Sequence, residues 1–295
     1  FMSKTVSRAW SHGISTRLNE MGATFLASSV TMMLNPDVSA MILMISSGLT
    51  LLRFIVIFFP IYFFLPDMVR FSKISSTESD FGKALTGSKI DRNKMQLISK
   101  CGIQMVTENR SNKIKHYDYS KEYIIWSVEN SLKNLQTDYL DVLLLHRPSP
   151  LMQADEIAEA VLKLKSEGKI IDFGLSNFTA SQTALISQKT EVSYNQISFS
   201  ATNYEPMLDG SLDYMQVHNI RPMSWNPLGS VFREDNQQTR RLKKLLATLV
   251  SKYELGSDTL LLSWILQHPA KIIPIAGTVN VARIQSLMKA TELKL

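Results

Sequence analysis

The sequence predicts an α/β fold, a (β/α)8 TIM barrel whose first two strand–helix units are aberrant or incomplete. Three observations carry that expectation. From Thr77 onward, short apolar runs alternate with amphipathic helical stretches, which implies a parallel sheet covered by helices. Six such units follow residue 77, so two of eight would lie upstream, although an open sheet gives a similar pattern. The chain has 295 residues, 45% hydrophobic and 20% charged. One barrel of about 250 residues suits that length better than two domains.

The chain divides into a divergent N-terminal region, 1–76, and a barrel-like region, 77–295. Phe1 precedes Met2. Up to about Ser47 the sequence shows neither a helical nor a strand period, and methionines cluster at Met32, Met33, Met41 and Met44. The run GLTLLRFIVIFFPIYFFLP, residues 48–66, follows with Arg53 as its one charge. Three readings compete for it. A membrane helix needs about 20 apolar residues, and Arg53 and Pro60 interrupt this run. A buried strand pair suits its Phe, Ile and Val content. A distorted barrel start, with the reading frame altered or misassigned upstream, is preferred.

Beyond Thr77 the predicted strands are Leu97–Cys101, Tyr139–Leu145, Ile170–Leu175, Val192–Phe199, Arg221–Trp225 and Ile272–Ile275. Helices lie between them. Ser120 is placed to cap the stripe Ile124, Val128, Leu132 and Leu135. The helix through Ile157, Val161 and Leu164 should stop at Gly168, where a left-handed residue is wanted. A later helix would bury Leu242, Leu245, Leu246, Leu249, Val250 and Tyr253 at helical spacing.

Composition excludes several functions. The net charge is +6, yet Arg240, Arg241, Lys243 and Lys244 fall on the water-facing side of that last helix. No nucleic-acid footprint is read from them. Cys101 is the single cysteine, so no internal disulfide forms. A reducing, cytoplasmic compartment is expected. Cys101 itself reads as a small buried residue rather than a nucleophile, and no metal site is expected.

In a barrel the C-terminal strand ends line the active site. Those ends here carry Lys100 (ISKCG), His146 (LLLHRPSP), Ser176 and Asn177 (FGLSNF), and Gln196 (SYNQI). Trp225, Asn226 and Pro227 follow (MSWNPLG), then Gly277, Thr278 and Arg283 (PIAGTVNVAR). One such residue means little, since a lysine after a strand is usually solvated. Six strand ends with polar groups facing one mouth mean more.

The motifs TESDFGKAL, LISKCG, TDYLDVLLLHRPSP, EGKIIDFGLSNF, SYNQI, SWNPLG and PIAGTVNVARI, from about Thr77 to Leu295, resemble the aldo-keto reductase family. LLLHRPSPLMQADEIAEA is similar to its bacterial oxidoreductase branch. The resemblance implies hydride transfer from a nicotinamide to a small-molecule carbonyl, with Lys100 and His146 as catalytic residues. It implies that Ser176, Asn177 and Gln196 hold the carboxamide and that Trp225 stacks on the nicotinamide. The loop Asn226, Pro227, Leu228 and Gly229 would follow the pyrophosphate. Gly277, Thr278 and Arg283 would meet the adenosine phosphate. Arg283 suits a 2′-phosphate through its fork of donors, so NADPH is expected over NAD.

The family pattern D-x-x-D-x-Y-G before the T-E-S motif is not matched. PDMVRFSKISS stands there instead, with Asp67 at about the aspartate spacing and no tyrosine after it. Tyr62 lies on the wrong side of Asp67. The chain also ends at Leu295, where relatives continue with another helix. An impaired, nucleotide-binding barrel, comparable to potassium-channel β-subunits, therefore stands beside the reductase reading. A barrel tethered to a membrane through 48–66 and a degenerate, unstable copy are further alternatives.

Overall fold

The computed structural model describes residues 40–47, 51–58, 76–87, 91–106, 112–278 and 281–295. Its strands are β1 (Ala40–Ser47), β2 (Leu51–Phe58), β3 (Met95–Cys101), β4 (Ile103–Gln104) and β5 (His116–Tyr117). They continue with β6 (Leu140–Leu145), β7 (Ile170–Ser176), β8 (Tyr194–Ser198), β9 (Arg221–Trp225) and β10 (Ile273–Ala276). The helices are α1 (Ser76–Gly87), α2 (Lys121–Leu135), α3 (Ala154–Ser166) and α4 (Ala180–Ser187). α5 (Ser211–Val217), α6 (Gln237–Tyr253), α7 (Ser257–Leu266) and α8 (Val281–Met288) complete them. Leu34–Leu295 form one compact unit, and Phe1–Met33 lies outside the described residues.

The barrel closes in the order β1-β10-β9-β8-β7-β6-β3-β2, and β4 and β5 form a separate two-stranded hairpin. From β2 through β10 every neighbouring pair in the wall is parallel. β1 departs from that rule, being antiparallel to both β2 and β10. Residues 48–50 separate it from β2, far too few for the crossover helix that parallel pairing requires. The first unit of a regular barrel is thus replaced by a hairpin, in line with the expectation of an aberrant start. Within the run 48–66, Leu51–Phe58 is a barrel strand. Among the described residues no helix is long and apolar enough to cross a membrane. β1 falls where no period is legible, and Tyr62 and Asp67 lie outside the described residues.

Parallel strands covered on both faces read as continuous apolar runs, as LDVLLL does in β6. The barrel interior is filled by Ile98, Val142, Leu144, Met223, Ile273 and Ile275, with Tyr194 and Trp225 packed against them. Outside, α2 lies over β3 and buries Ile124, Val128, Leu132 and Leu135. Its N-terminus is capped by the Ser120 side chain, which accepts from the Tyr123 N–H. α3 ends before Gly168, whose φ of +70° supplies the expected left-handed residue. The stripe on α6 needs one correction. Leu246 is buried, but Leu245 is 54% exposed, because it sits on the flank of the helix that turns to water. Cys101 is buried, and desolvation pushes its thiol up to about 12, so it packs and does not react.

Glu78, from the TESDFG motif, ties three elements together. Its Oε1 accepts the Ser99 hydroxyl of β3 at 2.7 Å and the Ser131 hydroxyl of α2 at 2.9 Å. Both serines are buried, and stranding a buried hydroxyl costs about 1–3 kcal/mol. Glu78→Ala is therefore expected to lower the thermal midpoint by roughly 2–12 °C, at about 2–4 °C per kcal/mol for a chain of this size. Calorimetry checks this, and an unchanged midpoint contradicts it.

Candidate active site

The strand ends place the predicted residues at one rim. Lys100 is the penultimate residue of β3, Ser176 ends β7, Gln196 lies within β8 and Trp225 ends β9. Register holds them level: Cys101 pairs with Leu145, Leu145 with Leu175, and Ser176 with Gln196. His146 follows β6 directly, and its backbone N–H donates to the Cys101 carbonyl at 3.0 Å. That bond fixes His146 beside the strand that carries Lys100.

Five of these residues join in one hydrogen-bonded chain. Lys100 Nζ donates to Ser176 Oγ at 3.2 Å and to Gln196 Oε1. Asn177 Nδ2 donates to the same Ser176 oxygen at 3.1 Å, and Trp225 Nε1 donates to Asn177 Oδ1 at 2.8 Å. Ser176 and Gln196 are fully buried, so this network offsets a desolvation cost that polar residues in a barrel core would otherwise carry. Asn177 has φ +62°. That turn lets its N–H reach the Gln196 carbonyl at 2.8 Å, and the amide side chain hangs over the rim. The Gln196 amide nitrogen meets the Met223 sulfur at 3.9 Å, a weak acceptor that leaves the amide able to take a better one.

Burial and neighbouring cations disfavour further positive charge at the centre of the rim. Burial, then the Arg147 charge, holds the Lys100 amine well below its usual range. Burial pushes His146 down to about 2, helped by Lys100, Arg147 and Lys115, so its ring is neutral at physiological pH. Tyr119 stands behind this group. Its hydroxyl donates to the Arg147 carbonyl and accepts the Arg147 N–H at 3.2 Å. Desolvation raises its pKa far above the ordinary tyrosine value.

The turn after β9 is built for close approach. Asn226 and Gly229 have φ of +56° and +57°, and the Gly229 N–H donates to the Asn226 carbonyl at 2.9 Å. A Cβ on Gly229 would lie 2.0 Å from Thr202 Oγ1, so only glycine fits. Pro227 is buried and Leu228 half-buried, Leu228 packing against both Leu262 and Val231 clusters. Arg233 straps this turn, donating from Nη2 to Asn226 Oδ1 at 3.1 Å and to the Gly229 carbonyl at 2.9 Å. Gly277 and Thr278 follow β10, and Arg283 lies in α8. They form a second group, joined to the first through the β9–β10 pairing. Arg283 Nε is 3.7 Å from Asp258 Oδ2, in the first turn of α7.

Sequence reasoning did not single out Arg147, Arg233, Tyr119 or Asp258. Arg147 was legible as the cation directly after His146. The other three depend on loop and helix geometry that spacing does not encode.

A closed barrel with this rim stands among the barrel-fold oxidoreductases. The chain belongs to the aldo/keto reductase family, whose model matches residues 69–295. It is 40% identical over 224 residues to the uncharacterized oxidoreductase YcsN of Bacillus subtilis, covering 74% of this chain and 75% of that protein. It is 39% identical over 223 residues to the oxidoreductase YdhF of Escherichia coli, covering 74% of each. A 6-dehydroglucose reductase of Agrobacterium fabrum is 33% identical over 220 residues, covering 73% of each. An aldo-keto reductase from Klebsiella pneumoniae, solved in complex with NADPH, shares the fold. Its TM-score is 0.62 at 23% identity, over 75% of this chain and 72% of that one.

Proposed function

We propose that the chain reduces aldehyde or ketone carbonyls of small molecules to alcohols, with NADPH as the cofactor in preference to NADH. The observation that carries this reading is the hydrogen-bonded rim of Lys100, Ser176, Asn177, Gln196 and Trp225. Its donor set fits the cofactor. Hydroxyl and amide groups of Ser176, Asn177 and Gln196 match a carboxamide, the half-buried Trp225 ring offers a stacking face, and Arg233 and Arg283 supply charge for phosphates. Relatives named as reductases of 6-dehydroglucose and methylglyoxal support a carbonyl substrate.

NADPH, when bound, supplies the hydride. As the carbonyl carbon gains that pair, negative charge collects on oxygen and must be met by hydrogen-bond donors. His146, held neutral by burial, would present a ring N–H to that oxygen. Lys100, made more acidic by burial and by Arg147, gives the proton. Ser176 and Gln196 would hold the carboxamide.

A second reading, a barrel that binds nucleotide without turnover, is favoured by one observation. No tyrosine stands between Asp67 and Thr77, and Tyr119 does not replace it, because its hydroxyl is committed to the Arg147 backbone. Fluorescence titration with NADPH, run beside a reduction assay on a panel of short aldehydes and ketones, tests both. Saturable binding with turnover is expected. Binding without turnover on any panel member shifts the assignment to the binding module, and absence of binding removes both.

A further inference from the structure

We propose that Asp258 is a specificity-determining residue that holds Arg283 in place of a phosphate and thereby lowers the preference for NADPH over NADH. The inference rests on the cofactor reading above. Arg283 is the cation expected at the 2′-phosphate, and in this structure its Nε faces Asp258 Oδ2 at 3.7 Å. The Asp258 side chain is 22% exposed against 61% for Arg283, so the carboxylate is the more buried partner of the pair.

The helix end holds the carboxylate. α7 begins after Gly256, which has no side chain to cap it. Asp258 Oδ1 accepts the Thr259 N–H at 3.0 Å instead, and an anion in a helix's first turn is favoured by the exposed amides there. Thr259, next in the helix, is fully buried and its hydroxyl reaches Ser286 Oγ of α8 at 3.3 Å. The two helices are thus pinned together, with Asp258 on one and Arg283 on the other. One carboxylate oxygen serves the helix and the other faces the guanidinium.

A 2′-phosphate carries about twice the charge of a carboxylate and can take two parallel donors from arginine. It therefore wins Arg283, but against a standing competitor, and it must settle near the fixed Asp258 charge. NADH has a hydroxyl at that position and feels neither effect. Removing the charge at 258 should strengthen NADPH alone. An exposed ion pair is a weak one, which sets the gain at about three- to fivefold in Kd.

The test is fluorescence titration of the full chain with NADPH, NADH and 2′,5′-ADP. Asp258→Asn keeps an oxygen for the Thr259 N–H while removing the charge, and Asp258→Ser is the second variant should the first not fold. The expected result is a threefold to fivefold lower Kd for NADPH and 2′,5′-ADP, NADH staying within twofold, and a gain that shrinks in 0.5 M salt by screening. Arg283→Met is the reference: it should weaken NADPH about tenfold or more and leave NADH within twofold. If Arg283→Met changes the NADPH-to-NADH ratio but neither Asp258 variant does, Asp258 has no such role and the cofactor reading stands. If Arg283→Met leaves the ratio unchanged, the assignment of the phosphate site itself fails, and this inference with it.

Discussion

Lys100→Met is expected to lower kcat/KM for carbonyl reduction by about 10²–10⁴, the range for loss of a positioned proton donor, while NADPH binding survives. The two effects separate for a structural reason. The lysine amine donates to Ser176 Oγ and Gln196 Oε1, two of the groups assigned to the carboxamide. Its removal leaves both groups to the carboxamide while it takes away the donor. Methionine keeps the length and apolar bulk of the side chain in the barrel mouth, which limits collapse of the site. NADPH Kd should therefore hold within about threefold or improve, measured by titration, while single-turnover rates fall. Equal loss of binding and rate would mean that the lysine holds the cofactor instead of serving the chemistry. Unchanged turnover would remove it from the reaction altogether.

Strand ends were legible because a parallel barrel buries each strand on both faces, which compresses it into a short apolar run closed by a polar residue. Arg221–Trp225 is read to the residue, and Lys100, Ser176 and Trp225 fall where the runs end, while Gln196 lies inside its strand. The network among them was not legible. It depends on the left-handed turn at Asn177 and on register across three strand pairs. Spacing fails furthest at β1, because an antiparallel strand closing a barrel against β10 needs no crossover and so leaves no alternating helix signal. The exposed Leu245 shows the same limit in small: a stripe of leucines defines a face about 100° wide, and the neighbour decides which edge of it is covered. Asp258 illustrates another. Its partner Arg283 lies 25 positions on, and nothing in the sequence between them announces a pair that two helices create.

Acid should destabilise this fold through His146 before it reaches the carboxylates. Burial and the neighbouring Lys100, Arg147 and Lys115 hold its folded pKa at about 2 against an ordinary value of 6.5. Between those values the unfolded chain binds a proton that the folded chain refuses, so stability rises with pH through this window and is lost as pH falls below 6.5. A full proton difference corresponds to about 1.4 kcal/mol per pH unit, and lowering pH from 7 to 5 should cost about 2 kcal/mol from this group. Glu167, whose folded pKa near 2 replaces an ordinary 4.5, loses its contribution as pH falls from about 4.5 toward 2, below the interval from 7 to 5. His268 is also lowered by burial and adds a background slope that a comparison with His146→Phe subtracts. Phenylalanine fills the ring volume and cannot be protonated. Urea unfolding at pH 7 and pH 5 should therefore show wild type losing about 2 kcal/mol more than His146→Phe across the interval. Parallel losses in the two proteins would show that His146 accepts a proton in the folded state. The ring facing the carbonyl oxygen would then be a cation below about pH 6 and not the neutral donor that burial implies.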